Sequence, residues 1–265
     1  MKQSRRSITS KNISVAVFDL EGTLTAPPLK RASAKVEPSI WTSIAQSLGP
    51  DALSDEISIA KQWTRGKIKT PAEWARKSVK IHKQFNLKKK TFFQILKNET
   101  RPRAKIRSLV DYLRRKNVHT VIITGSFFEQ AKILQKKTGI SEIRGLCQYR
   151  WSGDHIDRAE IQNTDYEYKT QIVRSIAKEH GCKLDGVLFV CNGTNDIPLA
   201  KRAGIVLGVE PAQRLKPHCT AIFRGNRAYE IILRYLKEQE LNGFVSFSAS
   251  SRNPQEHSRE SGFRR

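Results

Sequence analysis

One pattern governs this chain: short apolar runs rich in β-branched residues, each stopping at a polar loop. Val15-Ala-Val-Phe18 stops at Asp19, and Val118 to Ile123 stops at Thr124-Gly125-Ser126. Gly186 to Val190 stops at Cys191-Asn192, and shorter runs follow at Ile205–Gly208 and Thr220–Phe223. Runs without polar alternation must be covered on both faces. The stretches between them are helical. Ala104–Lys116 carries Ile106, Leu109, Val110 and Leu113 on one face, and Phe127–Lys137 and Tyr168–His180 stop at Gly139 and Gly181, as left-handed caps would. Helices also follow the loops at 191–196, to Ala203, and at the end, to about Leu236. Strands alternating with helices predict an α/β fold, a parallel sheet with helices on both faces. Between Ile143 and Ile161, two alternating runs around Trp151-Ser152-Gly153-Asp154 predict a hairpin.

One segment breaks the alternation. From Pro38 to about Asn98 the spacing is helical throughout, in four short pieces. The first carries Ile40, Trp41, Ile44 and Leu48 and stops at Gly49-Pro50. The second runs from about Asp51 to Arg65, the third starts at Thr70-Pro71 with Thr as cap, and the fourth spans about Lys88 to Lys97. This predicts a helical insertion over 28–100 within a main domain formed by 14–27 and 101–242. A basic arm over 1–13 precedes it, and a Ser/Arg/Glu-rich segment over 243–265 reads as a disordered tail.

Charge is the unusual global property. Lys and Arg number 48 against 25 acids, a net charge of +23. Such an excess favours polyanions through counterion release, so nucleic acid is one expected partner. No apolar run approaches the roughly 20 residues of a membrane span, and Cys147, Cys182, Cys191 and Cys219 show no metal spacing. A cytoplasmic protein with reduced thiols is expected.

The chemistry sits in the loops. Asp19 closes a buried strand and is followed by Glu21-Gly22-Thr23. Thr124-Gly125-Ser126, expected to open a helix, offers a hydroxyl and free N–H groups suited to phosphate. Asn192-Gly193-Thr194-Asn195-Asp196 clusters three side-chain oxygens after a strand. In order and spacing, Asp19-x-Glu21-Gly-Thr, Thr124-Gly125, Lys169 and Asn192-Gly-Thr-Asn195-Asp196 resemble the four motifs of the haloacid-dehalogenase (HAD) superfamily, closest to its phosphoserine-phosphatase-like branch.

That resemblance implies a Rossmann-like HAD core with an inserted helical cap, and a Mg2+-dependent phosphomonoester hydrolase. Asp19 would be the nucleophile and Glu21 the acid and base. Thr124, Gly125, Lys169 and Asn195 would bind substrate. Asp19, the residue 21 carbonyl, Asn192 and Asp196 would hold Mg2+. The substrate would be a phosphorylated small molecule or polyanion. This chain departs from the family at three points. Glu21 stands for the usual Asp. Asn192 also stands for an Asp, removing a charge from the metal shell. Pro28 stands where phosphoserine phosphatases carry the Glu that grips the substrate amine. The second departure motivates an alternative: a catalytically impaired HAD-fold protein that binds RNA or a ribonucleoprotein through its basic surface.

Overall fold

A computed structural model describes residues 11–26 and 39–247. The expected sheet is present, with seven strands. In chain order they are β2 (Val15–Phe18), β3 (His119–Phe127), β4 (Glu142–Ser152), β5 (His155–Ile161), β6 (Val187–Cys191), β7 (Ile205–Val209) and β8 (Ala221–Phe223). Their spatial order is β5-β4-β3-β2-β6-β7-β8, and every pairing is parallel except β4 with β5. β2 is central, and all four of its residues are buried. This is why its sequence shows no alternation. On one face it packs against helices α5 (Ile106–Arg115) and α9 (Ala228–Leu241), through Ala16, Phe18, Leu109 and Ile232. On the other, Val15 and Val17 meet Val173 and Ile176 of α7 (Glu167–Glu179). Two covered faces make an α/β sandwich whose loops emerge together at the carboxyl ends of the strands.

The insertion is helical: α1 (Ile40–Leu48), α2 (Pro50–Thr64), α3 (Pro71–Gln84) and α4 (Lys89–Glu99). Local chemistry sets their starts. Ser39 accepts from the Thr42 backbone while Thr42 reaches back to the Ser39 N–H, a reciprocal cap. Thr70 caps α3 by accepting from the Glu73 N–H at 3.1 Å, ahead of Pro71. The helices pack on the prolonged β3–β4 part of the sheet, where Trp41, Phe92, Phe127 and Tyr149 share one core. Two strands of chain join insertion and sheet side by side. Ala26 donates to the Arg101 carbonyl at 3.1 Å and Arg103 to the Leu24 carbonyl at 2.9 Å.

Three expectations change. Lys11–Ile13, expected as the end of a basic arm, is strand β1, paired in parallel with β9 (Val245–Phe247), expected as tail. Burial of Ile13 and Val245 explains the pairing, since each adds an apolar side chain to the main core. The rest of the arm, the rest of the tail and residues 27–38 lie outside the described residues. Gly125 and Ser126, expected to open a helix, stay extended within β3, which runs to Phe127 with an irregularity between Thr124 and Phe127. Their extension carries Phe127 into the aromatic core, and α6 (Phe128–Thr138) starts only after it. The helix after Asp196 is a single turn, α8 (Ile197–Ala200), rather than one reaching Ala203. Among the described residues no helix is long and apolar enough to cross a membrane.

Candidate active site

The carboxyl ends of β2, β3 and β6 and the start of α7 converge on one buried cluster. At its centre is Lys169, fully buried. Its ammonium donates to Asp19 Oδ1 at 3.0 Å and Asp196 Oδ1 at 2.5 Å, with Asp165 Oδ1 at 3.4 Å. Burial pushes the lysine toward losing its proton, but three carboxylates outweigh that and hold its pKa well above the ordinary value. Burial also raises the Asp19 carboxyl, with Lys169 opposing and Asp196 and Asp165 assisting, to about 7. Asp196 is raised too, by burial, with Lys169 pulling the other way. Its second oxygen accepts from the backbone N–H groups of Asn192 and Gly193, at 3.2 and 3.0 Å.

The loop after β2 makes one wide turn, closed by the Thr25 N–H on the Leu20 carbonyl at 3.1 Å. Gly22 sits in it at φ 73°, and a Cβ there would lie 2.1 Å from Asn192 Nδ2. Both the backbone conformation and the close approach of Asn192 therefore require glycine. The Thr23 hydroxyl lies 3.1 Å from both Asp19 Oδ2 and Asn192 Oδ1. It joins the nucleophile candidate to the fourth-motif loop. Glu21 turns the other way, toward the insertion. Its Oε1 accepts from the Ile40 N–H at the start of α1, at 3.1 Å, and more distantly from Ser126. Burial raises its carboxyl to about 7, with the Ile40, Gln130 and Ser126 hydrogen bonds opposing.

Asp19, Glu21, Thr124, Gly125, Asn192 and Asn195 all line one cavity of about 880 Å³ between sheet and insertion. Lys169, expected to bind substrate, and Asp196, expected to hold the metal, are fully buried and do not line it. Asn195 spends its amide on Asp165, donating to both carboxylate oxygens at 2.8 and 3.1 Å. Asp165 itself was not anticipated. It crowds Gly125 so closely that a Cβ there would lie 2.5 Å from its Oδ2. It lies ahead of α7, four residues before Lys169, and the sequence offered no helical or strand pattern that would have picked it out. Tyr166, the next residue, holds φ 52° and ψ −130°, a conformation costing a non-glycine residue roughly 1–3 kcal/mol.

Arg103 was also missed. It lines the cavity, donates to the Gly22 carbonyl at 3.0 Å, and keeps a buried Nε without a hydrogen-bond partner. From the insertion, Trp41, Trp63, Trp74 and Glu56 face the same space. The concentration of tryptophan in 28–100 was visible, but helical spacing explained those residues as core.

The metal donors expected in these loops are oxygens, and Asp19 Oδ2 and Asn192 Oδ1 are brought together on the Thr23 hydroxyl. Oxygen donors suit a hard divalent cation. Among the described residues no group of three or more His, Cys, Asp or Glu side chains is disposed to hold a metal. A cation here would rest on one carboxylate supplemented by neutral oxygens.

Comparison with known proteins bears on the family and the fold. The haloacid dehalogenase-like hydrolase family matches residues 13–204. No curated protein matches the chain significantly. A phosphoserine phosphatase solved as a phospho-aspartyl intermediate analogue aligns with a TM-score of 0.66 at 20% identity, covering 85% of this chain and 99% of its own. A probable phosphoserine phosphatase from Vibrio cholerae aligns at 0.70 and 12% identity, over 91% and 70%. A HAD family hydrolase from Salmonella enterica serovar Typhi aligns at 0.67 and 14%, over 84% and 71%. Identities this low speak for the fold.

Proposed function

From a chain that belongs to the haloacid dehalogenase-like hydrolases, we propose a phosphomonoester hydrolase acting through an aspartyl-phosphate on Asp19. The observation that carries this reading is the buried Asp19–Lys169–Asp196 cluster opening, through Asp19 alone, into the cavity that also holds Glu21 and Thr124. An Asp19 oxygen attacks phosphorus as the ester P–O bond breaks, and the departing oxygen takes a proton from Glu21. Water then yields a proton to Glu21, attacks the same phosphorus and breaks the bond to Asp19, releasing inorganic phosphate. A carboxyl near pKa 7 holds and returns a proton close to neutral pH. Thr124 and the Gly125 N–H would orient the phosphoryl oxygens. Lys169 fixes Asp19 and offsets its charge.

The residues present fit Mg2+ as the cofactor. Asp19, the residue 21 carbonyl and Asn192 would hold it, with Asp196 positioning the Asn192 loop. When bound, it would neutralise charge on the phosphoryl group. The sequence carries Pro28 rather than an amine-binding acid, which argues against phosphoserine itself as the substrate.

The test is release of phosphate from p-nitrophenyl phosphate with Mg2+. Asp19→Asn should lower the rate by at least a thousandfold, and equal rates for variant and wild type end this reading. In the same assay Asn192→Asp should lower the Mg2+ concentration for half-maximal rate by roughly tenfold, the equivalent of about 1.4 kcal/mol for a restored carboxylate.

A further inference from the structure

The cavity is larger and more aromatic than a small phosphoester requires. Its volume of about 880 Å³ lies in the upper range of pockets, roughly 300–1,000 Å³, that enclose drug-sized ligands. Its insertion-side wall is a run of rings. Trp41 and Trp74 have centroids 5.8 Å apart, Trp74 and Trp63 6.3 Å, and Trp63 and Tyr166 5.4 Å. Trp63 and Trp74 are half-buried at the edge of the insertion's core, Tyr166 is half-buried beside Trp63, and all three line the cavity.

This wall is joined to the phosphate seat at both ends. Trp41 Nε1 donates to the Gly125 carbonyl at 3.4 Å. At the other end, Asp165 packs on Gly125 and is followed directly by Tyr166. A phosphoryl group at Thr124-Gly125 would therefore have its alcohol beside aromatic faces. Tyr166 supplies an independent sign. Its backbone, at φ 52° and ψ −130°, suits glycine, yet a tyrosine is kept there. Strain of this kind gathers at ligand-binding positions, where the ring it presents has a use. Glu56 adds a polar group to the same wall. It is fully buried, Ser78 donates to its Oε1 at 3.0 Å, and its Oε2 has no hydrogen-bond partner. The Trp74 indole lies close enough to lower the carboxyl's proton affinity without hydrogen-bonding geometry. An unmatched acceptor oxygen beside aromatic rings suits a flat heterocycle with N–H donors.

We propose that the insertion-side wall is a subsite for a flat, nitrogen-bearing aromatic ring on the alcohol of the phosphomonoester, the class to which nucleoside monophosphates belong. The proposal rests on the phosphatase reading for its reaction and on Trp63 and Tyr166 for its selectivity. The ring stacks on those two faces, the sugar spans to Gly125, and an N–H at the ring edge reaches Glu56.

The test compares adenosine 5′-monophosphate with ribose 5-phosphate, which keeps the sugar and phosphate but lacks the ring, using the full chain and Mg2+. The expected ratio of kcat/KM is at least tenfold in favour of the nucleotide. Trp63→Leu should bring that ratio near one. So should Tyr166→Gly, which removes the ring while relieving the backbone, and its thermal midpoint should be unchanged or raised. A ratio near one in the wild type, with both esters hydrolysed, overturns the subsite and leaves the phosphatase reading standing. So does a preference that survives both variants, or faster turnover of O-phosphoserine than of either ester. If no ester is hydrolysed, the phosphatase reading fails, and titration of indole fluorescence with adenosine 5′-monophosphate decides the subsite. Quenching lost in Trp63→Leu upholds it, and absence of quenching overturns it.

Discussion

At the scale of single residues, the molecule places acids where burial works against their charge. Glu56 is the cleanest case, because no cation is paired with it. Burial raises its carboxyl from 4.5 to about 7, with Ser78 and the Trp74 indole opposing. A raised folded pKa means that the folded state binds the proton more tightly than the unfolded chain. The associated stability is complete below pH 4.5 and is lost as pH rises through about 7. Between pH 5 and pH 8 the loss from this group amounts to about 2–3 kcal/mol. Glu56→Gln keeps an oxygen for Ser78 and removes the titration. Urea denaturation should show the wild type losing that much more stability than the variant between the two pH values. Parallel losses would mean that Glu56 reaches solvent in the folded protein. The Lys169 cluster follows the opposite logic, since its charges are paired. Removing the lysine would leave three buried carboxylates facing one another, and this is why its burial among acids tells more than its position in a lysine-rich sequence could.

At the scale of elements, the strands that end in the site were legible because each is covered on both faces. Continuous apolar runs such as Val15–Phe18 admit few other structures, and their loops follow directly. The helical insertion was legible for the same kind of reason, with Pro71 and Thr70 marking a start that hydrogen bonds then make. What spacing could not show is where a segment without pattern is carried by its neighbours. Asp165 and Tyr166 lie in a polar stretch between hairpin and helix, and they reach the site only because β5 returns the chain across β4. Gly125 and Ser126 resemble a helix start locally, but the aromatic core draws Phe127 inward and keeps them extended. The pairing of β1 with β9 joins residues from the two ends of the chain, and two three-residue strands leave no periodicity to read. Gly145 is another position whose meaning is visible only in space. It sits in β4 where a Cβ would lie 2.7 Å from the backbone of Phe128, the first residue of α6. The contact is with backbone, so no side chain can swing aside. Gly145→Ala should lower unfolding free energy by about 1–3 kcal/mol in urea titration and disturb the Thr124–Phe127 segment. A variant as stable as the wild type would show that α6 can shift without cost.

At the scale of the whole molecule, the charge of +23 is distributed unevenly in what it does. Many exposed arginines are matched to acids one helical turn away or across a strand pair, as Arg107 and Arg114 are to Asp111, Arg150 to Glu160 and Arg227 to Glu230. The outer face of α3 is different. Arg76, Lys80 and Lys83 recur at helical spacing along it, and with Arg158 of β5 they line a groove of about 540 Å³ that includes no acid. Lys83 is fixed there by donating to the Asp157 carbonyl at 2.7 Å. A row of cations along one groove suits a polyanion such as a nucleic-acid backbone, where binding strength comes from released counterions. Single-stranded RNA should therefore be retained at 50 mM salt. If six phosphates are contacted, its affinity should fall by about 300-fold by 200 mM. Arg76→Glu with Lys80→Glu should abolish retention, whereas Asp19→Asn should leave it intact, because the groove and the buried cluster use separate residues. RNA binding that persists in the doubly reversed variant would move the polyanion surface elsewhere. Retention insensitive to salt would remove counterion release as its cause, and with it the argument from net charge.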